Sequence, residues 1–77
     1  MKLLVLSPEG EKLSCETGVV ELPGAKGRFE VLPGHAPLLS SLSEGVLKYD
    51  CDGKRSLLHV SSGFVRVEND TVTVCVD

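Results

Sequence analysis

The chain has 77 residues, 42% of them hydrophobic, with 11 acidic side chains against 8 Lys and Arg and a formal charge of −3. That length holds one domain, residues 1–77, near the size at which a single core is barely sufficient. The sparse basic residues exclude an electrostatic footprint for nucleic acid. The first apolar run, residues 3–6, is too short for a membrane span or a signal peptide, so the chain is expected in the cytoplasm.

Alternation with period two and regular turn punctuation predict an all-β chain, because no helical-length window carries an uninterrupted i, i+3, i+4, i+7 apolar stripe. The first strand is read over residues 2–7, ended by Ser7-Pro8-Glu9-Gly10, which suits a type I turn. Short strands over 12–16 and 18–22 follow, and Pro23-Gly24 predicts a type II turn. Residues 28–32 form the next strand, with Phe29 and Val31 on one face.

The loop that follows, Leu32-Pro33-Gly34-His35-Ala36-Pro37, is stiffened by its prolines. Pro33 and Pro37 fix φ and bias the residues before them toward extended backbone, while Gly34 permits a turn. These three residues are expected to shape the loop and to hold His35 in place.

Strands over 38–42, 46–51, 54–61, 64–68 and 71–76 complete the chain. Asp52-Gly53 predicts a type I′ hairpin between 46–51 and 54–61, and Asn69-Asp70 is placed in the same way between the last two strands. About nine short strands with turns every 8 to 12 residues or so are the signature of a sandwich or barrel. Val19, Leu22, Phe29, Val31, Val46, Leu58, Val60, Val65, Val67, Val72 and Val74 are the expected core. Glu30, Lys48, Asp50, Arg66, Glu68 and Thr73 are expected in water.

Catalytic signals are poor. His35 has no partner set for acid–base work, Ser40, Ser41 and Ser43 lack a G-x-S-x-G elbow, and His59 lies in a strand where a polar cross-strand role is expected. Gly24 and Gly27 bracket Ala25-Lys26 without the spacing of a phosphate loop. Cys15, Cys51 and Cys75 lack the paired spacing of a zinc site and read as reduced thiols, with Cys75 filling a small apolar site. Three aromatic residues give little platform for a sugar. The residues therefore favour a binding or structural protein, with neither metal nor cofactor.

Four blocks in register resemble the epsilon subunit of F-type ATP synthases. They are Val5-Leu6-Ser7-Pro8-Glu9-Gly10, then Leu22-Pro23-Gly24 with the run from Gly27 to Leu38, then Gly45-Val46-Leu47, and finally Val60-Ser61-Ser62-Gly63-Phe64-Val65-Arg66-Val67 with the closing strand. The resemblance implies a flattened β-sandwich of about ten short, mostly antiparallel strands. It implies a non-catalytic central-stalk subunit linking the gamma subunit to the c-ring, peripheral at the cytoplasmic face of the bacterial inner membrane and tied to it only through the complex.

By the same resemblance Ser7, His35 and Ser40 face gamma, and Gly27 and Arg28 approach the c-ring. Arg28 stands where an acidic residue facing basic c-ring loops is frequent, so that contact is repulsive unless Glu30 or Glu21 takes over or the ring differs. Ser62 stands where glycine is more usual. The family's helical hairpin has no counterpart before Asp77, which implies a short form without the helical brake. A freestanding β-sandwich module that binds peptides through the proline loop is the competing expectation.

Overall fold

The computed structural model describes residues 1–77. Nine strands and no helix make up the fold: β1 (Lys2–Ser7), β2 (Gly10–Glu16), β3 (Val20–Gly24), β4 (Gly27–Val31), β5 (Leu38–Leu42), β6 (Gly45–Cys51), β7 (Lys54–Val60), β8 (Gly63–Glu68) and β9 (Thr71–Val76). They run β2-β1-β9-β8-β5-β3-β6-β7 across one curled sheet, with β4 paired to β3. The curl makes two layers, because β5 and β3 are joined only through Gly24 and Leu42. One layer is β2-β1-β9-β8-β5, and the other is β4-β3-β6-β7.

All pairs are antiparallel except β1 with β9, where Lys2 to Leu6 run alongside Thr71 to Cys75. The core lies between the layers. Leu3, Val5, Leu42, Val65, Val67, Val72 and Val74 come from one layer, and Val20, Leu22, Val31, Leu47 and Val60 from the other. Burying a Val or Leu fully is worth about 1.5–3 kcal/mol, so these twelve side chains dominate the stability of a domain this small.

Both primed hairpins form as their sequences demand. Asp52 and Gly53 have φ of 53° and 75°, and Asn69 and Asp70 have φ of 51° and 58°. The β1–β2 link at Pro8-Glu9 also forms, but β2 starts at Gly10, two residues earlier than expected. A register shift leaves Lys12 unpaired between Glu11 and Leu13 and absorbs the difference.

Pro23-Gly24 is not a turn. Both residues belong to β3, and the turn falls at Ala25-Lys26, because Gly24 pairs with Gly27 across a two-residue link. A Cβ on Gly24 would lie 2.8 Å from the Phe29 ring, so glycine here serves close packing. The type II geometry occurs at the second Leu-Pro-Gly instead. The His35 N–H donates to the Leu32 carbonyl at 3.1 Å, and Gly34 takes φ of 83°.

Two expected core positions are displaced by one residue. Val19 and Val46 are half-buried while Val20 and Leu47 are fully buried, since a one-residue offset in a strand exchanges its two faces. Phe29 and Leu58 are half-buried and pack against the core from its margin. Lys48, Asp50 and Thr73, expected in water, are half-buried. Cys75 does not fill a core site, because Val74 and Val72 take the inward parity of β9 and Cys75 lies on its outer face.

Candidate functional site

The loop between β4 and β5 is fastened at its centre. The Gly34 N–H donates to Asp70 Oδ1 at 3.2 Å, so the turn of the β8–β9 hairpin holds the turn of the proline loop. Asp70 also accepts the Lys2 N–H through its carbonyl at 3.1 Å, and its carboxylate lies 3.7 Å from the Met1 ammonium. One residue thus ties together the start of β1, the end of β8–β9 and the proline loop.

His35 is exposed on that clamped loop, and its ring donates from Nδ1 to the Ala36 carbonyl at 2.7 Å. Because a carbonyl oxygen can only accept, this bond places a proton on Nδ1. Pro33 and Pro37 are exposed on either side of it. The arrangement suits recognition, since a polar ring is presented on backbone that has little conformational entropy left to lose.

Ser40 is half-buried on β5, with its hydroxyl donating to the Ser41 carbonyl at 3.1 Å. It lines a shallow cleft with Ala25, Lys26, Leu38, Leu39 and Ser41. The cleft exists because the Ala25 N–H donates to the Ser41 carbonyl at 2.9 Å, which lays the β3–β4 turn against β5. Gly27, at φ of 128°, ends that turn. Ser40 thus lies in the cleft beside the hairpin tip that Gly27 ends.

Ser7 lies apart from His35. It ends β1 beside Gly10 and accepts the Glu9 N–H at 3.3 Å, at the end of the layer where Gly63 and Leu42 pair. His35 belongs to the opposite end, near the Asn69-Asp70 turn. A strand of six residues separates the two by about 17 Å at 3.3 to 3.4 Å per residue. Any partner that touches both must run along the layer.

Arg28 sits on the outer side of β4, with its Nε 3.9 Å from Glu21 Oε1. Glu21 also pairs with Arg55, which reaches Asp50 at 3.5 Å. Glu30 stands directly across from Glu21 and is exposed. The surface beside the β3–β4 hairpin is thus a mixed charge network, and Arg28 is not a free cation within it.

Exposed apolar residues on the other layer went unremarked in the sequence. Leu39 is 70% exposed and Phe64 is 47% exposed. Ser41, Phe64, Cys75 and Leu6 form one row across the outer faces of β5, β8, β9 and β1, with Leu39 one row away. Alternation alone reveals these positions, since their strand neighbours Val65 and Val74 point inward.

Thr17 is a second residue the sequence did not single out. It is buried, its hydroxyl donates to the Val19 carbonyl at 2.9 Å, and it accepts the Asp50 N–H at 3.3 Å. This one side chain joins the end of β2 to β6. His59 is exposed, with its Nε2 3.5 Å from a Glu44 oxygen just before β6.

The profile of the β-sandwich domain of the ATP synthase delta/epsilon chain matches residues 1–77. An ATP synthase epsilon chain of Desulfitobacterium hafniense is 45% identical over 97% of this chain and 57% of its own length. One of Wolinella succinogenes is 42% identical over the whole chain and 60% of its own length. The chain spans little more than half the length of these relatives.

Among solved structures, the cryo-EM structure of the Euglena gracilis mitochondrial ATP synthase OSCP/F1/c-ring contains a chain that superposes with a TM-score of 0.87. The two share 23% identity, over 96% of this chain and 48% of that one. A chain of the Tetrahymena thermophila mitochondrial ATP synthase central stalk/c-ring gives a TM-score of 0.81 at 17% identity, over 99% of this chain and 62% of that one. Both show the same fold.

Proposed function

Since the chain belongs to the ATP synthase delta/epsilon-chain β-sandwich family, we propose that it is part of a non-catalytic rotor subunit of an ATP synthase. It would link the gamma subunit to the membrane c-ring and so couple proton or sodium flow to ATP synthesis. The observation that carries this reading is the unbroken match over residues 1–77, together with 45% identity to an epsilon chain.

Stiffness is what such a part requires, and three features supply it. A curled sheet closes on a twelve-residue core, two prolines restrict the β4–β5 loop, and Asp70 clamps that loop at Gly34. Torque is transmitted through contacts and needs no titrating machinery. In this reading His35, Ser40 and Ser7 meet gamma along one layer, and the β3–β4 hairpin with Gly27 and Arg28 meets the c-ring.

The Glu21 pairing bears on the second contact. With Arg28 partly neutralised by Glu21, Glu30 is the unpaired carboxylate on that hairpin and the better complement for a basic loop. The bacterial relatives support placement at the cytoplasmic face of an inner membrane, held there through the complex. No helix of the chain is long and apolar enough to cross a membrane.

Co-expression with gamma and c subunits from the same source, followed by affinity purification at low salt, tests the assignment. Gamma should be recovered with the chain, and its absence would overturn the reading. His35→Ala should weaken recovery at least several-fold while leaving the isolated domain folded, because the His35 ring bonds only to its own neighbour Ala36 and the backbone bond to Leu32 is kept.

A further inference from the structure

Cys15 and Cys51 take the inward parity of β2 and β6 at one end of the sandwich. Cys15 stands opposite the buried Leu3 in the β1–β2 pair and packs on the core, so its thiol lies on the inner face of β2. Cys51 follows Leu47 and Tyr49 at two-residue spacing on β6, which gives it the inward parity of that strand. The hydrogen bond from the Asp50 N–H to the Thr17 hydroxyl, 3.3 Å, draws these two strand ends together. Cys75 lies elsewhere, on the outer face of β9.

We propose that Cys15 and Cys51 are a redox pair that closes to an intramolecular disulfide, tying the outermost strand of one layer to β6 of the other. The pair goes beyond the stalk reading and does not depend on it. β2 is hydrogen-bonded to β1 alone, so a covalent link at residue 15 would close the sandwich where its ladder ends.

The oxidant is a low-molecular-weight disulfide of the glutathione class. The Cys51 thiolate attacks one of its sulfurs, expels one small thiolate and leaves a mixed disulfide on Cys51. Cys15, once deprotonated, attacks the Cys51 sulfur, forms the Sγ–Sγ bond and expels the second small thiolate. Two protein thiols lose two electrons and two protons, and the small disulfide takes up both. Burial, a hydrogen bond to Cys51 and the charges of Cys51, Asp52 and Glu16 push the Cys15 thiol up to about 11, so Cys15 is the proton-bearing partner and its attack is the slow step.

The reduced 77-residue chain, incubated with oxidised glutathione at mildly alkaline pH and quenched in acid, tests this by intact mass and thiol titration. The expected result is loss of two of the three free thiols and of two hydrogens in mass, without a glutathione adduct. A digest should yield a peptide linking Cys15 to Cys51, dithiothreitol should reverse the change, and the thermal midpoint should rise by about 10 °C or more. Cys75→Ser should lose both of its thiols and the same two hydrogens, leaving none to titrate. Three titratable thiols after incubation, a stable glutathione adduct on the unmodified chain, or dimers linked through Cys75 would each overturn the proposal.

Discussion

The Gly34 amide donates to the Asp70 side chain across 36 positions of sequence, at 3.2 Å, and so couples two turns that lie beyond the end of the β5–β8 ladder. Each turn is special in its own way. Gly34 has φ of 83° in the proline turn, and Asp70 has φ of 58° in a primed hairpin. The residue that pins the His35 loop is thus itself held in a backbone conformation that few residues accept.

Asp70→Ala should therefore cost about 2 kcal/mol. Roughly 1 kcal/mol comes from placing alanine in left-handed backbone and about as much from the lost acceptor. Asp70→Asn keeps both the left-handed tolerance and an amide oxygen, and should cost no more than about 0.5 kcal/mol. Urea unfolding of the two variants gives the comparison, and amide exchange at Gly34 should accelerate only in the alanine variant.

Gly63→Ala should be far more damaging. Gly63 has φ of 154° and pairs with both Leu42 and Val76, and a Cβ there would run into the Cys75 carbonyl oxygen and sit 3.1 Å from Val76 Cα. Nothing flexible can yield, so the loss should reach about 3 kcal/mol or more, seen as a fall in thermal midpoint or as insoluble protein. Ser62→Gly, one position earlier, should cost less than about 1 kcal/mol, because the Ser62 hydroxyl only meets the Asp77 carboxylate at the surface.

The contrast explains what the sequence could disclose. Asp52-Gly53 and Asn69-Asp70 were readable because a two-residue link between alternating runs admits few backbone solutions. Leu22-Pro23-Gly24 and Leu32-Pro33-Gly34 are the same tripeptide with opposite fates, and local chemistry does not separate them. The first is pulled into β3 by ladder pairing with β4 and by the packing of Pro23 on Gly45, while the second lies beyond the last β4 pair and turns. Val19 and Val46 failed for a related reason, since a strand with apolar residues on both faces does not announce its register. The proline loop and its histidine were legible as a unit, but its clamp was not, because Asp70 and Gly34 are distant in sequence. Likewise, no spacing rule links Cys15 to Cys51.

Glu21→Gln should lower stability by about 0.5–1 kcal/mol at low salt. The carboxylate serves Arg55 and Arg28 together, although all three side chains remain partly in water, where pairs are weak. At 1 M NaCl the Debye length falls to about 3 Å, and the difference between variant and parent should nearly vanish. A difference that persisted at high salt would mean that Glu21 acts through packing on Lys48 and Glu30, its ladder neighbours, and not through charge.

Stability should also fall as pH rises from about 9 to about 11. Burial first, then the hydrogen bond and charge of Cys51 and the charges of Asp52 and Glu16, raise the folded-state value of Cys15 from 9.0 to about 11. In that window the unfolded chain has lost the Cys15 proton and the folded chain retains it, so the native state binds more protons and is destabilised by each increment of pH. The stabilisation is complete below about 9 and gone above about 11. Two units would correspond to roughly 2.7 kcal/mol, but partial solvation of the thiol reduces the expected drop to about 1–2 kcal/mol. Urea midpoints of the reduced chain at pH 8, 9, 10 and 11 measure it against Cys15→Ala, which should lose most of the slope. The oxidised chain should show the same flattening, because a disulfide has no proton to release, so the pH profile reads the state of the pair independently of mass.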